Sequence, residues 1–242
     1  MSTLFPQWMN ALPGAMAVGL GAVGVCVVGG VWYYFTPSYW EVGYMPEQPV
    51  AFSHQTHAGK LGLDCRYCHS DVERSAHANI PDTATCLNCH AGDDQVGGYF
   101  KVDLWEAHRT DQNLVRTRAA YAEDRPIEWR RVHKVPDYAH FPHSVHINAG
   151  VSCYSCHGRI DQMPVVYQTQ NLSMGWCLDC HRQPENHLVD VDGILDPDNP
   201  VRITDLATVE RLLASRDQRE RGLKLVEAKR LQPPENCAAC HY

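Results

Sequence analysis

Ten of the chain's eleven cysteines fall into five copies of one pattern, C-x-x-C-H, and no fold can be assigned without saying what those sites hold. They are CRYCH (Cys65, Cys68, His69), CLNCH (Cys86, Cys89, His90), CYSCH (Cys153, Cys156, His157), CLDCH (Cys177, Cys180, His181) and CAACH (Cys237, Cys240, His241). Chance does not supply them: 11 cysteines and 14 histidines in 242 residues predict about 0.03 such motifs. Two thiols a short turn apart suit thioether bonds to the two vinyl groups of a haem, and the adjoining imidazole then becomes the proximal iron ligand. Zinc is the rival, because the spacings C-x2-C-x17-C-x2-C (Cys65 to Cys89) and C-x2-C-x20-C-x2-C (Cys153 to Cys180) fall in or near the zinc-ribbon range. A ribbon, however, needs no histidine after every second cysteine, and Cys237 and Cys240 have no second C-x-x-C to complete a four-cysteine site. Five separate units do not read as a disulfide framework either. The expectation is five covalently bound haem c groups, each with its iron on the motif histidine.

The remaining histidines are organised by an internal repeat. Residues 52–90 read F-x-H-x-x-H, seven residues, C-x-x-C-H, sixteen residues, C-x-x-C-H, and residues 141–181 repeat this with gaps of six and nineteen. Each half is read as a dihaem module. An iron in haem has one axial position left once the motif histidine is bound. His143 and His146 are three apart on a helical turn, with Cβ atoms about 5–6 Å apart, so they point the same way and cannot both complete one haem. They are expected to serve two irons, and His54 and His57 likewise. These four distal ligands match the four haems of the modules, leaving the fifth to draw on another residue upstream or in another subunit, or to go without. His133 is the leading choice, with His187, His108, His77 and His140 behind it. Met163 and Met174 are alternative distal ligands that would raise a haem's potential, although packing explains both more simply.

The N-terminal part has a different character. No Asp, Glu, Lys or Arg occurs from Met1 to Trp40, and Pro13 to Phe35 is apolar nearly throughout. At about 1.5 Å per residue it spans roughly 35 Å, enough for a hydrocarbon core of about 30 Å. A cleaved signal peptide is disfavoured because the basic n-region is missing and the first Lys or Arg is Lys60. A lipoprotein anchor at Cys26 is disfavoured by Val25 before it. Trp8 on one side and Trp32, Tyr33, Tyr34, Tyr39 and Trp40 on the other suit the two water interfaces. Ala15, Gly19, Gly21, Ala22 and Gly24 would let another helix approach closely, pointing to a membrane partner. Haem attachment takes place outside the cytoplasm, which would put everything after the helix on that side. The expected layout is a cytoplasmic N-terminus (1–12), a transmembrane helix (13–36), a first dihaem module (37–90), a helical and strand-like connector (91–140), a second dihaem module (141–190) and a loop, amphipathic helix and fifth haem site (191–242).

The expected fold is therefore one N-terminal transmembrane helix plus a mainly α and irregular multihaem domain with little β structure. A helix is expected near Asp111 to Glu123, a strand-like run in "IEWRRVHKV", and a partly helical stretch from Thr204 to Leu231 that Gly222 interrupts and Pro233-Pro234 stops. The mean hydropathy of -0.36 describes a soluble body behind the anchor. The formal charge of -7 gives no default attraction for nucleic acid and agrees weakly with docking a basic redox partner.

The segments "CRYCHSDVE", "RVHKVPDYAHFPHSVH", "CHGRIDQMPVVYQ" and "LSMGWCLDCHR", together with the single N-terminal helix and the paired F-x-H-x-x-H units, carry a resemblance. The chain resembles the membrane-anchored pentahaem cytochrome c subunits of alternative complex III over nearly its whole length. The resemblance implies dihaem modules like those of cytochromes c7 and c3, in a bacterial cytoplasmic membrane complex with its haem domain on the periplasmic face. Its implied partners are an iron-sulfur subunit, integral membrane subunits with quinol sites and a monohaem cytochrome c, without homo-oligomerisation. The implied activity is quinol oxidation, with this subunit relaying electrons to a soluble carrier or terminal oxidase. No catalytic set stands apart from the haem ligands, so no substrate site of its own is expected. The related multihaem subunit of a quinone-reducing complex shares the module design but is expected to carry six haems. A multihaem reductase of a small nitrogen or sulfur compound needs an open haem, and nine spare histidines for five irons count against it.

Overall fold

The computed structural model describes residues 6–91 and 111–241. A short 3-10 turn, Gln7–Ala11, leads into helix α1 (Leu12–Tyr34), which Pro13 enters in the first turn where its missing N–H costs nothing. The run Gln7–Tyr34 is 28 residues long and none of its apolar window is buried against the rest of the chain. It is long and apolar enough to cross a membrane. Helix α2 (Pro37–Trp40) follows, and Tyr34 packs edge-on against Phe35 and Trp40 at 5.2 and 5.1 Å.

Everything after α2 is short helices and loops. The first F-x-H-x-x-H unit forms a single π-helical turn (Gln55–Lys60), and the second forms α6. The helices in chain order are α3 (Cys65–Cys68), α4 (Thr83–His90), α5 (Gln112–Ala122), α6 (His143–Ala149), α7 (Cys153–His157), α8 (Met174–Arg182), α9 (Leu206–Leu213), α10 (Gln218–Lys229) and α11 (Cys237–Cys240). All five C-x-x-C-H motifs thus lie on helices, and each of those helices has a side-chain N-cap. Asp64, Ser152 and Asn236 cap α3, α7 and α11 from the position just before the first cysteine. Asp82 and Ser173 cap α4 and α8 from four residues before it. The repeat is thereby visible in the backbone: the opening motif of each module starts its helix and the closing motif ends a longer one. The fifth motif is built like an opener.

Two expectations need correction. The run 127–135 has no strand partner, and among the described residues only the isolated bridges Ala139–His241 and Val151–Leu188 occur. Its backbone is satisfied by a side chain instead: the Gln48 amide donates to the Arg130 carbonyl and accepts from the Arg130 N–H, both at 2.9 Å. The C-terminal stretch is two helices, α9 and α10, and Gly222 lies inside the second. It breaks nothing; a Cβ there would stand 1.9 Å from the Glu185 carbonyl oxygen, so glycine is what lets α10 lie against the turn Pro184–Asn186.

The core is thin. Twelve apolar side chains are buried among the described residues, and the cluster Val72, Ile147 and Ile203 is small. A polypeptide body of this size ordinarily buries far more apolar surface. Covalently attached planar groups would supply what the side chains do not.

Candidate functional site

The five motifs stand in one unbroken spatial row. Cys68 is within electrostatic reach of Cys86 and Cys89, Cys156 of Cys177 and Cys180, and Cys177 of Cys240. Between the modules, the neighbouring Cys65 thiol together with burial pushes Cys153 well above an ordinary thiol. The order along the row is second, first, third, fourth, fifth. Burial raises the Cys156 thiol to about 12 and Cys180 to about 11.

Residues 202–204 clasp the junction between the modules. Thr204 Oγ1 donates to Asp64 Oδ2 at 2.8 Å, Arg202 pairs with the same carboxylate at 3.1 Å, and Ser152 Oγ donates to the Ile203 carbonyl at 2.7 Å. Asp64 and Ser152 are the caps of α3 and α7, so one tripeptide holds the first and third motifs together through the residues that start their helices.

The histidines are prepared for metal. The Nδ1 atoms of His57, His69, His143, His146 and His181 lie 2.6–2.9 Å from the carbonyls of Ser53, Asn79, Ala76, Pro142 and Pro234. A carbonyl only accepts, so each Nδ1 carries the proton and each Nε2 presents a lone pair, as metal-ligating histidines do. His54 Nδ1, His133 Nε2 and His157 Nδ1 are buried with no hydrogen-bond partner, which burial alone makes unfavourable. Burial lowers His54 and His133 to about 4, and it holds His157 well below the ordinary value, with charge repulsion from His133 next. Neutral, desolvated imidazoles are what iron requires.

Three ring pairs share one separation. His54 and His69 have centroids 6.4 Å apart and 2° from parallel; His57–His90 and His146–His181 are each 6.1 Å apart. Two imidazoles on opposite faces of one iron, with metal–nitrogen bonds of about 2 Å, put their ring centres about 6 Å apart. His133 lies 4.3 Å from His157, and the ring beside His241 is Tyr138 at 5.7 Å. The structure therefore brings His133 to the third motif.

The phenylalanine of F-x-H-x-x-H, to which the sequence assigned no task, packs the histidine pair. Phe52 stacks on His57 at 4.3 Å and meets His54 edge-on at 4.9 Å; Phe141 does the same to His146 at 4.7 Å and His143 at 4.9 Å. Its fixed place in both repeats was the signal. Among the weaker candidates, His187 is pushed down by burial at the end of the turn Pro184–Asn186, His140 donates its N–H to the Cys240 carbonyl at 2.8 Å, and His77 is exposed. His108 lies outside the described residues. Met163 is buried, with its carbonyl accepting from Gln55 N at 3.0 Å, whereas Met174 is exposed at the start of α8.

With this geometry in view, the comparisons agree. Residues 50–113 match the family of cytochrome c7 and related cytochrome c. The chain carries a cytochrome c7-like domain. It is also 29% identical over 199 residues to the multihaem cytochrome c subunit of a menaquinone reductase from Nitratidesulfovibrio vulgaris, covering 74% of this chain and 85% of that protein. Both findings are likenesses to multihaem cytochromes c, one over a quarter of the chain and one over most of it. The orphaned Nε2 of His133 and the 6 Å ring pairs fit haem. A bound haem would supply the redox chemistry, and the motif cysteines and the histidines would supply attachment and axial nitrogens.

Proposed function

We propose that this chain is the membrane-anchored relay subunit of a quinone-linked respiratory complex, carrying five haem c groups on its five motifs. The unbroken row of motifs is the observation that carries the reading: every site has a neighbour in the row, and none stands apart as a reaction centre. In this proposal His69, His90, His157, His181 and His241 are proximal ligands. His54, His57 and His146 complete the first, second and fourth haems. Only one of His133 and His143, both of which act electrostatically on His157, can complete the third, and no distal ligand is assigned to the fifth. The anchor is α1, with the haem domain on the periplasmic side where the thioethers are made, and the partners are the iron-sulfur, quinol-site and monohaem subunits of such a complex.

Two directions of flow are compatible with a relay. Quinol oxidation towards a soluble carrier or oxidase is supported by the five-motif count and the segments quoted above. Quinone reduction is supported by the relative, which is a menaquinone reductase subunit. Purification in mild detergent with its native partners decides between them. The quinol-oxidising reading expects reduction of a cytochrome c-type acceptor by menaquinol or ubiquinol. A preparation that only passes electrons from reduced cytochrome to quinone establishes the reverse. The pyridine haemochrome should give five haems per chain, and EPR should be dominated by low-spin signals from the four haems given a distal ligand here. A dominant high-spin signal with nitrite or sulfite turnover would replace the relay by a reductase.

A further inference from the structure

We infer that the segment 162–178 and residues 35–45 together form a platform that rests on the lipid surface and holds the third and fourth C-x-x-C-H sites closest to the membrane. The inference rests on reading α1 as a membrane span. Four observations carry it.

First, residues 162–178 contain no Asp, Glu, Lys or Arg, in a chain where 20% of residues are charged. Second, the loop is sewn to the end of the apolar helix. Gly43 N donates to the Gln168 carbonyl at 2.7 Å, Gln168 N donates to the Tyr44 carbonyl at 3.1 Å, and Asn171 Nδ2 reaches Ser38 Oγ at 3.4 Å. Between Phe35 and Gly43 the chain includes α2, so its reach is at most about 20 Å. Wherever α1 leaves the hydrocarbon, the loop is carried to nearly the same level.

Third, the large side chains most exposed on both segments are apolar or aromatic, with Gln162 exposed and Glu41 half-exposed among them. Phe35 is 75% exposed and Met174 65%, and Trp40, Tyr44, Met45 and Val165 are exposed with them. Soluble surfaces rarely gather such a patch without a partner, and Trp and Tyr are the residues that favour the headgroup level. The patch continues directly from the apolar helix, which argues for lipid as its occupant. Fourth, the loop is fixed to the third motif: Thr169 Oγ1 donates to the Cys156 carbonyl at 3.0 Å, and the Thr169 side chain lies 3.0 Å from where a Cβ on Gly158 would stand.

The third and fourth motifs are both interior to the row. Electrons exchanged at the membrane therefore meet the relay inside it and not at either end.

Spin labels on the full chain in lipid nanodiscs test this. Labels at Val165→Cys and Met174→Cys, in a Cys26→Ser background, should be accessible to oxygen and several-fold less accessible to a water-soluble nickel chelate than a label at Leu223→Cys on α10. An unchanged haem spectrum shows that each variant is assembled. Equal nickel access at all three positions overturns the platform, and a label on native Cys26 then shows whether the span itself stands: oxygen access there keeps α1 in the bilayer, nickel access removes both readings. Protection that appears only after partner subunits are added makes the patch a protein interface and overturns the lipid assignment.

Discussion

At the scale of single residues, the histidines show how little side-chain chemistry the relay needs. A backbone carbonyl fixes the proton on Nδ1, a phenylalanine fixes the plane, and Nε2 is left to the metal. Replacing a proposed distal imidazole should act on one haem alone. His146→Met is expected to raise the midpoint potential of the fourth haem by on the order of 100 mV, because thioether ligation favours ferrous iron. At 59 mV per tenfold for one electron, that haem would hold an electron roughly fifty-fold more strongly. Potentiometric titration with spectral deconvolution checks it, and a shift shared by the third and fourth haems would refute the separate wiring of His143 and His146. Asp64 makes a second prediction. Its hydrogen bonds from Arg66, first, and then from Thr204 and Arg202 hold its carboxyl far below the ordinary range. A lowered folded value means stability that is present above the unfolded value of about 4 and lost as pH falls below it. Asp64→Asn should therefore cost about 1 kcal/mol at pH 7 and flatten the acid loss below about pH 4, read from unfolding curves as a function of pH.

Among the elements, helix starts and close approaches decide the architecture more than periodicity does. Helix α1 was legible because the apolar run is unbroken, and it lies within one residue of the run Pro13 to Phe35. Helix α5 was legible from Asp111, whose side chain accepts from Asn113 N as its cap. The C-terminal break was misplaced because glycine reads as a helix breaker. The stop is made by Ser215 and Arg221, which both donate to the Leu212 carbonyl, at 2.6 and 2.9 Å, and so end α9 before α10 begins. Gly222 instead marks contact, and contact is invisible in a single sequence. Gly222→Ala gains about 1 kcal/mol of helix propensity but forces α10 off the Glu185 carbonyl, so a net loss of about 1–3 kcal/mol is expected in thermal unfolding. Gly→Ala at Gly62, whose added Cβ meets nothing but whose φ is +69°, is the control for backbone strain without a clash.

The molecule as a whole is a row of sites held by a thin polypeptide. The residues proposed to attach haem are a reading of C-x-x-C-H, whose spacing covalent chemistry would fix. The order of the sites was not, because the first and third motifs are neighbours only through packing: Cys65 and Cys153 are far apart in the chain, and the clasp that joins their helices comes from residues 202–204. That order makes a connectivity prediction. Removing the third haem with Cys153→Ala and Cys156→Ala takes out the middle of the row, and removing the second with Cys86→Ala and Cys89→Ala takes out an end. Both variants keep four attachment motifs. In stopped-flow reduction by a small donor, the end deletion should leave one connected set of haems that equilibrate together. The middle deletion should divide them into a pair on the first and second motifs and a pair on the fourth and fifth, visible as two kinetic phases with slow exchange between them. Identical single-phase behaviour in the two variants would mean that the row has a second connection, and the linear order would fall. The middle deletion should also be the less stable of the two, because it empties the site with the most deeply buried cysteines and histidine, where no side chains stand ready to fill the space.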